Sequence, residues 1–129
     1  MIAAYSRASH GKEALTLFNQ MQGTGILPNQ FTLSSLLPAC THLEAVVEVH
    51  EEIIRSGFHS EVFVGNALLY MYEKYGNINI ARYVFDKLLR RDVVTWNEMI
   101  AGYAHKGYVN EALDVFEKIP NEMWSPGHQ

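Results

Sequence analysis

The chain is 129 residues long, 48% apolar and 19% charged, a length and balance that suit one modest folded domain and not a disordered segment. Its 10 Lys+Arg against 14 Asp+Glu leave a formal charge of −4, which excludes a generally basic body that clings to phosphate. A single cysteine, Cys40, excludes an internal disulfide and any zinc site built on several thiolates.

In chain order, the opening Met1-Ile2-Ala3-Ala4-Tyr5 holds no basic leader or cleavage site, so a targeting segment is expected to be absent or already removed. Glu13, Ala14, Leu15 and Phe18 belong to a helical stretch that Gly25 and the Pro28-Asn29 turn bring to an end. A segment with the same grammar fits between Gln30 and Glu61. Val62 to Tyr72 is the longest apolar stretch, about half of a membrane span and interrupted by Asn66, so no membrane partner is expected. Leu68, Leu69 and Tyr72 predict one helix, Gly76-Asn77 a break, and Ile80, Ala81, Val84, Phe85 and Leu88 a second helix. Val93-Val94-Thr95 is a short β-branched run, but Met99, Ile100 and Tyr103 continue with helical spacing up to Gly107. Ala112, Leu113, Val115, Phe116 and Ile119 form the last stripe.

These segments repeat. A shift of 31, the difference between Asn97 and Asn66, sets Val62 on Val93, Tyr72 on Tyr103, Gly76 on Gly107, Ala81 on Ala112 and Phe85 on Phe116. A shift of 98, the difference between Met99 and Met1, sets Met1-Ile2-Ala3 on Met99-Ile100-Ala101 and Phe18 on Phe116. A helix pair this short cannot bury its apolar face alone, so the units must stack. The expected fold is an all-α, right-handed α-solenoid of helix-turn-helix repeats. Tyr5, Phe18, Tyr72, Phe85, Tyr103 and Phe116 are expected to pack its core, with Ala14, Ala81 and Ala112 allowing close helix approach. Trp96 and Tyr103 also satisfy the spacing of a tetratricopeptide repeat. Ile100, however, stands where that pattern needs glycine.

Val93 to Tyr103, followed by Asn110-Glu111-Ala112-Leu113 and Val115-Phe116, resembles a pentatricopeptide repeat. Val62 to Leu68 with Ala81 to Asp86 resembles the short variant of that repeat. Phe31 to Cys40 with Ile54 to Phe58 resembles the long variant, and the mixed order is similar to the plant PLS subfamily. The resemblance divides residues 1–123 into a partial unit (1–29), a long-type unit (30–61), a short-type unit (62–92) and a further unit (93–123), with 124–129 as an unstructured tail. The first unit lacks its opening residues, so the chain is expected to be a piece of a longer array. The second unit is about three residues short between Cys40 and His50.

The resemblance implies a binding surface for single-stranded RNA, with the fifth and last residues of each unit reading a base and the second packing against it. Carried over, the base readers are Asn66 with Asp92, Ser34 with Glu61, Asn97, and Asn29 from the first unit. The base-packing residues are Phe31, Phe63 and Val94. An Asn/Asp pair implies a preference for uridine, since the amide offers a donor and an acceptor and the carboxylate can orient it. Helix N-capping is the alternative role for Asn66 and Asn97. Read from spacing alone, Arg7, His42, Lys74 and His105 fall near the end of each first helix, a cationic row suited to phosphate. A basic residue there equally complements the helix macrodipole.

The acidic residues fall mainly on second helices, which leaves a protein-binding scaffold of tetratricopeptide type as the competing reading. Catalysis is not expected. His50-Glu51-Glu52 lacks the downstream Pro-Cys-x-x-Cys of a zinc deaminase, and Ile54 stands where a metalloprotease needs a second histidine. No metal, cofactor or DNA partner is expected. The subfamily resemblance implies a mitochondrial or chloroplast setting, an organellar transcript as target, and RNA processing or cytidine-to-uridine editing. Any editing chemistry would come from an enzyme or other factors acting in trans.

Overall fold

A computed structural model describes residues 29–123, with residues 16, 19–21 and 23–25 before them. Arg7, most of the first unit and the 124–129 tail lie outside the described residues. The described chain is helical, without a strand. It runs α1 (Gln30–Leu36), α2 (Leu43–Arg55), α3 (Val62–Lys74), α4 (Ile78–Lys87), α5 (Val93–His105) and α6 (Val109–Glu117). Short 3-10 turns follow α1 at Leu37–Ala39 and α6 at Asn121–Met123. No helix among the described residues is long and apolar enough to cross a membrane.

Local chemistry sets these boundaries. Asn29, Glu61 and Asp92 cap α1, α3 and α5, each side chain accepting the backbone N–H three residues on. Gly76 and Gly107 adopt φ of 81° and 80°, a conformation glycine reaches without steric cost. The amides of the residues after them, Asn77 and Tyr108, turn back to the carbonyls of Tyr72 and Tyr103 at 2.8 and 2.9 Å, closing a Schellman motif. The β-branched Val93-Val94-Thr95 run opens α5 as helix, because the Asp92–Thr95 capping box fixes its first turn.

The second unit departs from this plan. Pro38 cannot donate to the helix ladder, so α1 ends at Leu36 and tightens into the 3-10 turn. The connection to α2, made by Cys40, Thr41 and His42 without a glycine, is as long as the connections at 75–77 and 106–108. The shortfall therefore lies in the first helix and not, as expected, between Cys40 and His50: α1 and its 3-10 turn end at Ala39, whereas α3 and α5 each run 13 residues.

The first helices α1, α3 and α5 pack directly on one another, while α2 and α4 pack on the first helices beside them. A layer joined more closely on one side bends toward that side, so the first helices line the concave wall. Leu68, Leu69, Met71 and Tyr72 of α3 are buried between both neighbours. Ala81 and Ala112 are buried, as expected for close approach. Two tighter points were not foreseen. A methyl group on Gly65 would strike Leu88, and one on Gly102 would lie 2.9 Å from Ile78 Cδ1.

Polar bonds tie the hairpins together. Tyr72 Oη lies 2.7 Å from His50 Nδ1, and Tyr75 donates to the Cys40 carbonyl at 2.7 Å. Burial is the main force holding the His50 imidazole below its usual range, with His59 assisting and Glu51 opposing. Burial also pushes the Cys40 thiol up to about 12, so it behaves as a packing residue. Phe85 and Trp96 meet edge to face at 5.1 Å, and the Arg91 guanidinium lies 4.6 Å from the Phe85 ring centre. Phe116, expected in the core, is instead 43% exposed and borders an open cavity at the end of the stack.

Candidate nucleic-acid interface

Residues at i, i+3 and i+11 share one face of a helix, and the concave wall follows that rule. On α3 the face carries Phe63, Asn66 and Lys74; on α5 it carries Val94, Asn97 and His105; on α1 it begins with Phe31 and Ser34. Phe31, Phe63 and Val94 are 61%, 56% and 51% exposed, large apolar side chains left open to solvent on successive helices.

The centre of the wall is a hydrogen-bonded cluster spanning α3 and α5. Asn66 Nδ2 donates to Asp92 Oδ1 at 3.1 Å, and the Thr95 hydroxyl donates to Asn66 Oδ1 at 2.6 Å. Asp92 Oδ1 also accepts the Thr95 backbone N–H at 3.0 Å, and the Asp92 N–H donates to Thr95 Oγ1 at 3.1 Å. A carboxylate only accepts, so the amide must turn its NH2 toward Asp92. One N–H and one carbonyl lone pair of Asn66 remain free, in a fixed order. Partial burial works against ionisation of Asp92. The bonds from Thr95 and Asn66 outweigh it and hold the carboxyl below its usual range.

The other units are less complete. Ser34 Oγ donates to the Phe31 carbonyl at 3.2 Å, while Glu61 accepts the Val64 N–H at 3.0 Å, so this pair is not joined to each other. Asn97 is exposed and has no hydrogen-bond partner among the described residues. Met123 stands where Asp92 stands one unit earlier, and a thioether cannot orient an amide as a carboxylate does. Asn97 and Met123 border a cavity of about 190 Å³ with Trp96, Ile100 and Phe116. Asn29 caps α1 through Thr32 at 2.9 Å. The capping role weighed for Asn66 and Asn97 falls instead to the closing residues Asn29, Glu61 and Asp92, since both amides sit one turn inside their helices.

The cationic row is uneven. Lys74 and His105 occupy equivalent last positions of α3 and α5. Lys74 is exposed and has no ion-pair partner among the described residues, its ammonium 5.6 Å from the Tyr75 ring centre. His105 Nδ1 lies 3.4 Å from Glu73 Oε2, which diverts it from an incoming anion. His42 is not at the end of a first helix. With α1 stopped short by Pro38, it sits at the N-cap of α2 with an extended backbone.

Two residues of this wall were not read as site residues from the sequence. Thr95 is fully buried beneath the amide, and its Asp-x-x-Thr spacing from Asp92 was the available signal. Glu98, on the next residue after Asn97, has a buried Oε1 with no partner. Burial first, then the Asp92 and Glu73 charges, push its carboxyl up to about 7. The described residues hold no group of acidic, histidine or cysteine side chains arranged for a metal ion.

The sequence profile of the PPR repeat family matches residues 1–42 and 91–128. A pentatricopeptide repeat-containing protein of Arabidopsis thaliana, named as chloroplastic, is 38% identical over 131 residues, covering 99% of this chain and 19% of that protein. A second from the same plant, named as mitochondrial, is 37% identical over 99% of this chain and 14% of its own length. A third, also named as mitochondrial, is 39% identical over 99% of this chain and 21% of its own length. The chain therefore spans about a fifth of the curated relatives it matches. Stacked helical hairpins, equivalent open positions on their first helices and these matches agree: the chain belongs to the pentatricopeptide repeat family.

Proposed function

We propose that this chain binds single-stranded RNA along the concave wall and reads one nucleotide, preferentially uridine, through Asn66. The observation that carries this reading is the Asn66–Asp92–Thr95 cluster. It leaves an amide with one donor and one acceptor in a locked order, between the exposed side chains Phe63 and Val94. A pyrimidine presents a donor beside an acceptor on its base-pairing edge, and a locked amide accepts only one order of the two. The open apolar side chains supply packing for the base faces. Phosphate contact comes chiefly from Lys74, so the electrostatic share of binding is small.

Within this reading the chain is a recognition module for an organellar transcript, in a mitochondrion or chloroplast, serving RNA processing or cytidine-to-uridine editing. The chemistry is supplied by an enzyme or other editing factors acting in trans. Titration of the chain with short RNAs differing only at one U or C tests the reading at two salt concentrations. Asn66→Ala is expected to erase the U-over-C preference with little change in melting temperature. Absence of RNA retention even at low salt would leave the protein-binding scaffold as the better account.

A further inference from the structure

We propose that Tyr70 recognises the ribose of the nucleotide held at Asn66, its hydroxyl bonding the 2′-OH, so that this unit distinguishes RNA from DNA. The inference rests on the RNA-binding reading above. Tyr70 lies one helical turn beyond Asn66 and one turn before Lys74, on the same open face of α3. It is 53% exposed, and its hydroxyl has no partner among the described residues. An aromatic side chain more than half open to solvent, with an idle donor at its tip, is not explained by the packing of α3 alone.

The placement matches the anatomy of a nucleotide. Asn66 to Lys74 is eight residues, about 12 Å along the helix, with Tyr70 midway. A base at Asn66 and a phosphate near Lys74 put the sugar between them, over Tyr70. The base faces are already served by Phe63 and Val94, which leaves the Tyr70 ring no stacking partner. The neighbouring first helices lack this feature. Pro38 and Ala101 stand at the equivalent positions, each four residues past Ser34 and Asn97, and neither side chain can form a hydrogen bond. Discrimination of the sugar is therefore confined to this unit. The 2′-OH both donates and accepts, and it is the group by which a protein tells the two nucleic acids apart.

The test is fluorescence anisotropy of the full chain with labelled oligouridylate and with the same oligomer built from 2′-deoxyuridine. Wild type is expected to favour the ribose form by about 3- to 10-fold, the range of one hydrogen bond. Tyr70→Phe should bring both oligomers to the deoxy affinity, with an unchanged circular-dichroism melt. Retention of the wild-type ratio by Tyr70→Phe overturns the proposal while leaving the RNA reading intact. So does an equal loss for both oligomers, or a loss seen only in Tyr70→Ala, since each marks ring contact and not sugar recognition. Failure of wild type to bind either oligomer sinks the RNA reading and this proposal with it.

Discussion

Glu98 offers the most direct physical test of the concave wall. Its carboxyl is pushed from an ordinary 4.5 to about 7, by burial first and then by Asp92 and Glu73. The folded chain thus holds this proton more tightly than the unfolded chain. The contribution of Glu98 to stability is fully present below about pH 4.5 and is lost as pH rises through about 7. A displacement of that size corresponds to a ceiling of about 3.4 kcal/mol. Partial exposure lets solvent screen the charge, and a discounted cost of about 1–2 kcal/mol is appropriate. Glu98→Gln keeps the shape and removes the charge. Urea unfolding followed by far-ultraviolet circular dichroism should show the variant more stable by about 1–2 kcal/mol at pH 8, with an unchanged denaturant slope. Well below pH 4.5 the two proteins should coincide, because the wild-type carboxyl is then neutral in both the folded and the unfolded chain. A difference independent of pH would falsify the placement of Glu98 against Asp92 and Glu73.

Three other outcomes are expected. His50 is held neutral chiefly by burial, with His59 assisting and Glu51 opposing, so its contribution to stability should be complete above the ordinary histidine range near 6.5. It should fall as pH drops through the lower folded value, and His50→Gln should flatten that acid limb in pH-resolved thermal melts. Gly102→Ala should destabilise by about 1–3 kcal/mol through contact with Ile78 and Glu73, measurable as a lowered urea midpoint. Asp92→Asn keeps a capping side chain but frees the Asn66 amide to turn over. Competition titrations should then show U and C binding nearly alike, while retained preference would argue against orientation by the carboxylate.

The hairpin plan was legible because its signals are local. Gly76 and Gly107 end helices through backbone conformations that other residues adopt poorly, and the apolar stripes of α3 to α6 have helical period. The early end of α1 was harder to read, because Pro38 acts together with a connection lacking glycine. At the interface, Asn66 and Asp92 stood out through the family resemblance, whereas Thr95 read as part of a β-branched run. Glu98 could be placed on a first helix but not against two other carboxylates. Asp92 caps the same helix, but the approach of Glu73 arises only when α3 and α5 lie side by side, and no pattern within one helix reports it. The same holds for His50 and Tyr72, 22 residues apart on adjacent hairpins.

The cap that begins α5 also fixes the amide that α3 presents, so the setting of Asn66 belongs to the hairpin downstream. A cut between these two hairpins, however clean in the helices, divides that amide from its own alignment. If Asn66 reads a base as proposed, an array rebuilt by exchanging whole pairs at this seam would lose the setting of that position. Exchanges that carry the first turn of the following helix along would preserve it.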